Sequence, residues 1–290
     1  MEMLLKQFIE FSDNERRLSK NTLESYARDV MQFSKYVDGK LTEVDDKIVL
    51  AYIVNMKKVG KALSTISRSL ASLRSFYQFL YRSGKISTDP TANLQPPKVE
   101  KKLPQILTTE EVERLLEQPK CVDFKGWRDR AMLELLYATG IRVSELINAD
   151  MENLNLRRSF LTCMNNTKVR TIPLGSAAKT ALGDYIKNAR PNMLRDAHET
   201  ALFVNYGGSR MTRQGFWKII KQYKETAKID KEITPHMLRH SFAAHLLENG
   251  ADLVSIQELM GLADIASTSV YTKIMQNKIV DVYKKAHPRA

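Results

Sequence analysis

Between residues 89 and 104 the chain reads DPTANLQPPKVEKKLP, and that stretch limits the possible folds more than any other. The prolines at 90, 96, 97 and 104 lack the backbone N–H that a helix interior or a central strand needs, and they hold the chain extended. No regular element can run through such a segment, so the residues on its two sides must fold separately. At 290 residues the chain is long enough for two ordinary domains. The expected division is a domain over 1–95, a linker over 96–105 and a second domain over 106–290.

The first part is patterned as helices. SKNTLESYARDVMQFSKYV sets Leu23, Tyr26, Ala27, Val30, Phe33 and Val37 at steps of three and four, the period of one amphipathic helix. LTEVDDKIVLAYIVNMKKVG reads as a second helix closed by Gly60. LSTISRSLASLRSFYQFLYRSG reads as a third, aligning Ile66, Leu70, Leu73, Tyr77 and Leu80 before Gly84. With the opening segment these predict a helical bundle. Opposite the third helix's apolar stripe lie Ser64, Thr65, Arg68 and Ser72, just after Lys61. A solvated face is the ordinary reason for that pattern, yet short, hydroxylated and basic residues also suit a helix lying in a DNA major groove. Lys61, Ser64, Thr65 and Arg68 are therefore the candidate DNA contacts.

After the linker, Thr108 followed by Glu111 forms a capping-box pattern ahead of Val112, Leu115 and Leu116. The second domain reads as mostly helical with one hairpin, SFLTCMNNTKVRTIPLG, turning at Asn165-Asn166. The expected class is thus mostly α with a small β element, in two domains. No phosphate-cradling glycine loop occurs, which argues against nucleotide hydrolysis.

Lys and Arg number 45 against 33 Asp and Glu, a formal charge of +12. Such a balance favours a polyanionic partner, because each phosphate neutralised releases counterions. Cys121 and Cys163 are too few for a disulfide framework and stand at no zinc-finger spacing, so no metal or other cofactor is expected. The opening MEMLLKQFIEFSDNERR has too short an apolar run, broken by acids, for a signal peptide or spanning helix, and a cytoplasmic protein is expected.

Three places could carry chemistry. In ATGIRVSELINAD, Gly140 closes one helix and Arg142 opens another, where free N–H groups already favour an anion; pairing of Arg142 with Glu145 on the surface is the plainer alternative. In ITPHMLRHSFAAHLLENG, Thr234 suits an N-cap and Pro235 the first helical position, which puts His236 in the first turn and Arg239 one turn later. His240 and His245 read as packing or surface residues. A further helix carrying Leu253, Ile256 and Leu259 or Met260 ends at Gly261, and Tyr271 comes after it in the hydroxyl-rich STSVYTK.

TGIRVSEL, TPHMLRHSFAAHLLENGADL followed by IQELMG, STSVYTK, the N-terminal LSKNTLESYARDV and LSTISRSLASLRSFYQFL, and the closing HPRA together resemble the tyrosine recombinases of the bacterial Xer subgroup, over nearly all the chain. The resemblance implies a helical core-binding domain and a mixed α/β catalytic domain that close around duplex DNA. It implies cleavage by a tyrosine, here Tyr271, through a 3′-phosphotyrosine, with neither ATP nor metal. Arg142 and Arg239 would clamp the phosphate, His236 would assist proton transfer, and Glu145 would buttress the site. The family usually has histidine nine residues before the tyrosine, where this chain has Leu262. It also carries a lysine in the hairpin turn; asparagine stands there, at Asn165 and Asn166, and Lys168 is the nearest candidate general acid. Further implied are a tetramer on DNA with a like or related recombinase, a septal DNA translocase as activator, and a C-terminal tail that docks on a neighbouring subunit. Two other readings stand beside this one: an architectural DNA-binding protein with weakened cleavage, and a mobile-element integrase.

Overall fold

The computed structural model describes residues 2–97, 105–164 and 169–262, and the chain divides into two compact units, Met1–Lys102 and Leu103–Ala290. Unit 1 is a bundle of four helices, α1 (Glu2–Asn14), α2 (Lys20–Tyr36), α3 (Asp46–Lys58) and α4 (Leu63–Arg82). Ser19 and Asp45 cap α2 and α3 by accepting bonds from the N–H groups of Thr22 and Ile48, each such cap being worth about 1 kcal/mol. The stripe read on α4 is the centre of the bundle: Ile66, Leu70, Leu73, Tyr77 and Leu80 are all buried, packed with Phe8, Val30, Phe33 and Phe76. Tyr77 donates its hydroxyl to the Leu41 carbonyl at 3.1 Å, so even the largest core side chain has its polar tip satisfied.

Unit 2 carries α5 (Thr109–Leu116), α6 (Phe124–Thr139), α7 (Val143–Asn148), a 3₁₀ turn Met151–Asn153, strands β1 (Leu154–Asn155), β2 (Phe160–Met164) and β3 (Val169–Pro173), then α8 (Ser176–Asp184), a π turn Tyr185–Ala189, α9 (Arg190–Met193), α10 (Arg213–Thr226), α11 (Pro235–Glu248) and α12 (Leu253–Met260). The Thr108/Glu111 capping box forms with both its bonds, at 2.8 and 3.2 Å. Helix α6 is the hub. Ala131, Met132, Leu133, Leu135 and Leu136 are fully buried, and its buried Asp129 is held by Arg128 and by the Tyr223 hydroxyl.

The three strands form one antiparallel sheet in the order β1-β2-β3. β1 carries only two residues, too few to show a strand period, and is absent from the sequence reading. The hairpin expected from the sequence is present as β2 and β3. Leu161 pairs with Ile172, Cys163 with Arg170 and Met164 with Val169, and the expected turn at Asn165-Asn166 falls among residues 165–168 that join the two strands. Burial sets which faces meet: Leu161, Cys163 and Ile172 face the core, and a slip of one residue would turn one strand's apolar set to solvent. The turn itself lies outside the described residues, as does the stretch 263–290 that holds Tyr271.

Candidate active site

The site is built at the far end of α12, where Gly261 takes the left-handed conformation at φ +60° and ends the helix. A helix C-terminus leaves carbonyls unsatisfied and carries a partial negative charge. The Gln257 and Glu258 carbonyls accept from the N–H groups of Leu262 and Gly261, both at 3.1 Å. Each of the next three carbonyls takes an arginine. Arg170 Nε donates to Leu259 at 3.0 Å, Arg239 Nη2 to Met260 at 2.7 Å and Arg142 Nη2 to Gly261 at 2.9 Å.

These arginines come from three separate elements. Arg142 is the residue before α7, two positions after Gly140 closes α6 at φ +57°. Arg239 lies on α11, capped by Thr234 with Pro235 in the first turn, and it also donates from Nη1 to the Gly140 carbonyl. Arg170 lies on β3 opposite Cys163. Between Arg142 and Arg170 sits the buried carboxylate of Glu145. Arg170 grips it with a parallel pair of bonds, Nη1 to Oε1 at 2.7 Å and Nη2 to Oε2 at 2.8 Å. Arg142 gives it a backbone N–H bond at 2.7 Å and only a long side-chain contact of 3.3 Å. Burial raises the Glu145 pKa, but the Arg170 and Arg142 bonds outweigh that, so it lies below the usual carboxylate range and the group is ionised. Three guanidiniums meet at the end of α12 and one carboxylate lies between two of them, which leaves positive charge in excess in a partly buried place suited to a phosphodiester anion.

His236 is exposed at the start of α11, and Arg239, one turn on, is buried. Both lie close to His240, whose pKa is pushed down to about 4 by burial and by these two groups, so that ring is neutral. His245 is a packing residue: its Nε2 donates to the Leu107 carbonyl at 3.0 Å and its Nδ1 lies 2.9 Å from the Tyr137 hydroxyl. Leu262 is partly buried against the cluster of Phe242, Ala243, Ile256 and Met260, so its side chain extends an apolar wall beside the arginines. Lys168 and Tyr271 lie outside the described residues.

A model of the phage integrase family matches residues 105–278, and one of the phage integrase N-terminal SAM-like domain matches residues 5–84. The chain belongs to the phage integrase family. Among relatives of this integrase, tyrosine recombinase XerD of Oceanobacillus iheyensis is 47% identical over the full length of both chains, and XerD of Halalkalibacterium halodurans is 44% identical, with 99% of this chain and 98% of that one covered. Among solved structures, XerA recombinase is similar at 27% identity and a TM-score of 0.56, covering 100% of this chain and 99% of that one. XerH bound to palindromic difH, a post-cleavage complex, has a TM-score of 0.76 at 20% identity, covering 96% and 83% of the two chains; at that identity the likeness speaks for the fold.

Within the integrase fold, the candidate DNA face of α4 is partly redrawn. Lys61 and Ser64 are exposed and Thr65 is half-buried. Ser72 is not on that face. It is fully buried and donates to Asp29 Oδ2 at 2.7 Å, because Asp29 on α2 is itself buried and needs donors. Arg68 supplies the matching charge to Asp29 and remains partly exposed beyond it. Arg170 was missed by sequence reasoning, being an ordinary arginine in a strand; the usable signal was its place in the buried-alternating β3, where a charge must find a partner. Among the described residues no helix is long and apolar enough to cross a membrane.

Proposed function

We propose that this chain is a site-specific DNA recombinase that cuts and rejoins duplex DNA through a phosphotyrosine on Tyr271. The observation that carries the reading is the convergence of Arg142 and Arg239 on adjacent carbonyls at the end of α12, directly before the segment leading to Tyr271. Tyr271 Oη attacks the scissile phosphorus, its proton passing toward His236, while the bond from phosphorus to the 5′ oxygen breaks. That oxygen takes a proton, for which Lys168 is the candidate donor. Arg142 and Arg239 hold the non-bridging oxygens and offset the charge added in the transition state. The phosphotyrosine keeps the bond energy, so attack by a 5′ hydroxyl reverses the step and joins strands without ATP.

The identity to XerD proteins over whole chains supports a Xer-type role, resolution of chromosome dimers in the cytoplasm. In that role the enzyme acts as a tetramer on two duplexes with a like or related recombinase, activated by a septal translocase. Lys61, Ser64, Thr65 and Arg68 contact the duplex from the N-terminal unit. A second reading, an architectural DNA-binding protein, is favoured by two departures from the family pattern, Leu262 in place of a hydrogen-bond donor and asparagine in place of the hairpin lysine.

Nicked fragments of chromosomal DNA from the source organism, incubated with the full chain and recovered as denaturation-resistant adducts, decide between them. The recombinase yields adducts at one recurrent sequence that vanish in Tyr271→Phe. Binding by gel shift with no Tyr271-dependent adduct establishes the architectural reading instead.

A further inference from the structure

Glu145 poses a problem for a phosphate-binding site. An ionised carboxylate three residues from Arg142, with its backbone N–H already bound, sits where it can neutralise the guanidinium meant for the phosphate. In the structure it does so only weakly, at 3.3 Å, because Arg170 occupies both carboxylate oxygens at 2.7 and 2.8 Å. A bidentate arginine-carboxylate pair is the stronger of the two interactions by geometry, and it leaves the second Arg142 nitrogen turned to the helix end. The third donor group of Arg170, Nε, ties the hairpin strand to the Leu259 carbonyl. Gly261 holds φ +60°, and a Cβ there would stand 2.7 Å from Arg170 Nη1, so a larger residue would have to displace the guanidinium from Glu145.

We propose that Arg170 is a positioning residue for strand cleavage, which neutralises Glu145 so that Arg142 keeps its charge for the scissile phosphate, and which locks β3 to the end of α12. This rests on the recombinase reading. Arg170 touches no reacting atom. Its role is to decide which arginine the buried acid claims. Without it, Glu145 turns to Arg142, the other guanidinium bonded to it among the described residues, and the clamp loses much of its field.

The test uses the full chain and the nicked duplex recovered with the wild-type adduct, in single-turnover adduct formation, with gel-shift affinity at matched salt beside it. Arg170→Ala is expected to slow adduct formation by about 10- to 100-fold with affinity changed less than threefold. Adding Glu145→Gln to Arg170→Ala removes the unpaired acid and is expected to return at least tenfold of the loss. Arg170→Lys, one donor group in place of a fork, is expected to fall between wild type and Arg170→Ala. A merely structural role for Arg170 predicts that the double variant is as slow as the single one or slower, and that result overturns the proposal, as does a wild-type rate in Arg170→Ala. If Arg170→Ala does not fold, Arg170→Lys with and without Glu145→Gln carries the same comparison. Absence of any Tyr271-dependent adduct from the wild type overturns the recombinase reading and this proposal with it.

Discussion

Gly140→Ala measures how closely the foundation of the arginine cluster is packed. Gly140 holds φ +57° at the end of α6, a conformation that costs an alanine about 1–2 kcal/mol. A Cβ built there would also lie 2.2 Å from Phe242 Cδ1 and 2.6 Å from its Cε1. The ring cannot retreat freely, because it is buried in the cluster with Ala243, Ile256 and Met260, and overpacking of this kind costs about 1–3 kcal/mol. Together the two effects amount to about 2–5 kcal/mol, or a melting temperature lower by roughly 4–20 °C for a unit of this size. Scanning calorimetry of the full chain, tracking the transition of the second unit, reads the loss. Adding Phe242→Leu should return the steric part and leave the backbone part, about 1–2 kcal/mol. Because the Gly140 carbonyl also holds Arg239, the rate of Tyr271 adduct formation should fall further than DNA affinity. A Gly140→Ala protein that melts within about 1 °C of wild type, or one that Phe242→Leu does not help, refutes the reasoning.

Leu262→His is expected to bring no acceleration of adduct formation and to cost roughly 1 kcal/mol, since Leu262 is partly buried against Phe242, Ile256 and Met260 and a histidine there forfeits apolar contact; a tenfold faster single-turnover rate would show instead that the site lacks only a donor. His240 sets an acid limit on stability. Its pKa falls from 6.5 in the unfolded chain to about 4 in the fold, so its contribution is fully present above pH 6.5 and is lost as the pH drops toward 4, by about 3 kcal/mol in all. Urea denaturation across that window should show a shallower decline in His240→Gln than in wild type, and parallel declines would remove His240 from the account.

Much of the molecule is local in origin and was legible in the sequence. Thr108 with Glu111, Thr234 with Pro235, Gly140 and Gly261 mark helix ends by bonds or backbone angles that reach only a few residues, so their spacing carries the information. The buried stripe of α4 is likewise a period, readable wherever it occurs. Arg142, His236 and Arg239 were identified together by the motifs around them, although Tyr271 and Lys168 fall outside the described residues. Tertiary structure decided what those motifs do not encode. Ser72 left the polar face because Asp29, 43 residues away, is buried and draws its hydroxyl inward. Leu161 came to lie opposite Ile172 because both apolar side chains must meet on the buried face, a pairing that turn residues alone do not reveal. Arg170 gained its place from Glu145, 25 residues earlier, and Leu259, 89 residues later. A buried charge takes whatever partner the fold brings within about 3 Å, and sequence spacing places no limit on where along the chain that partner lies.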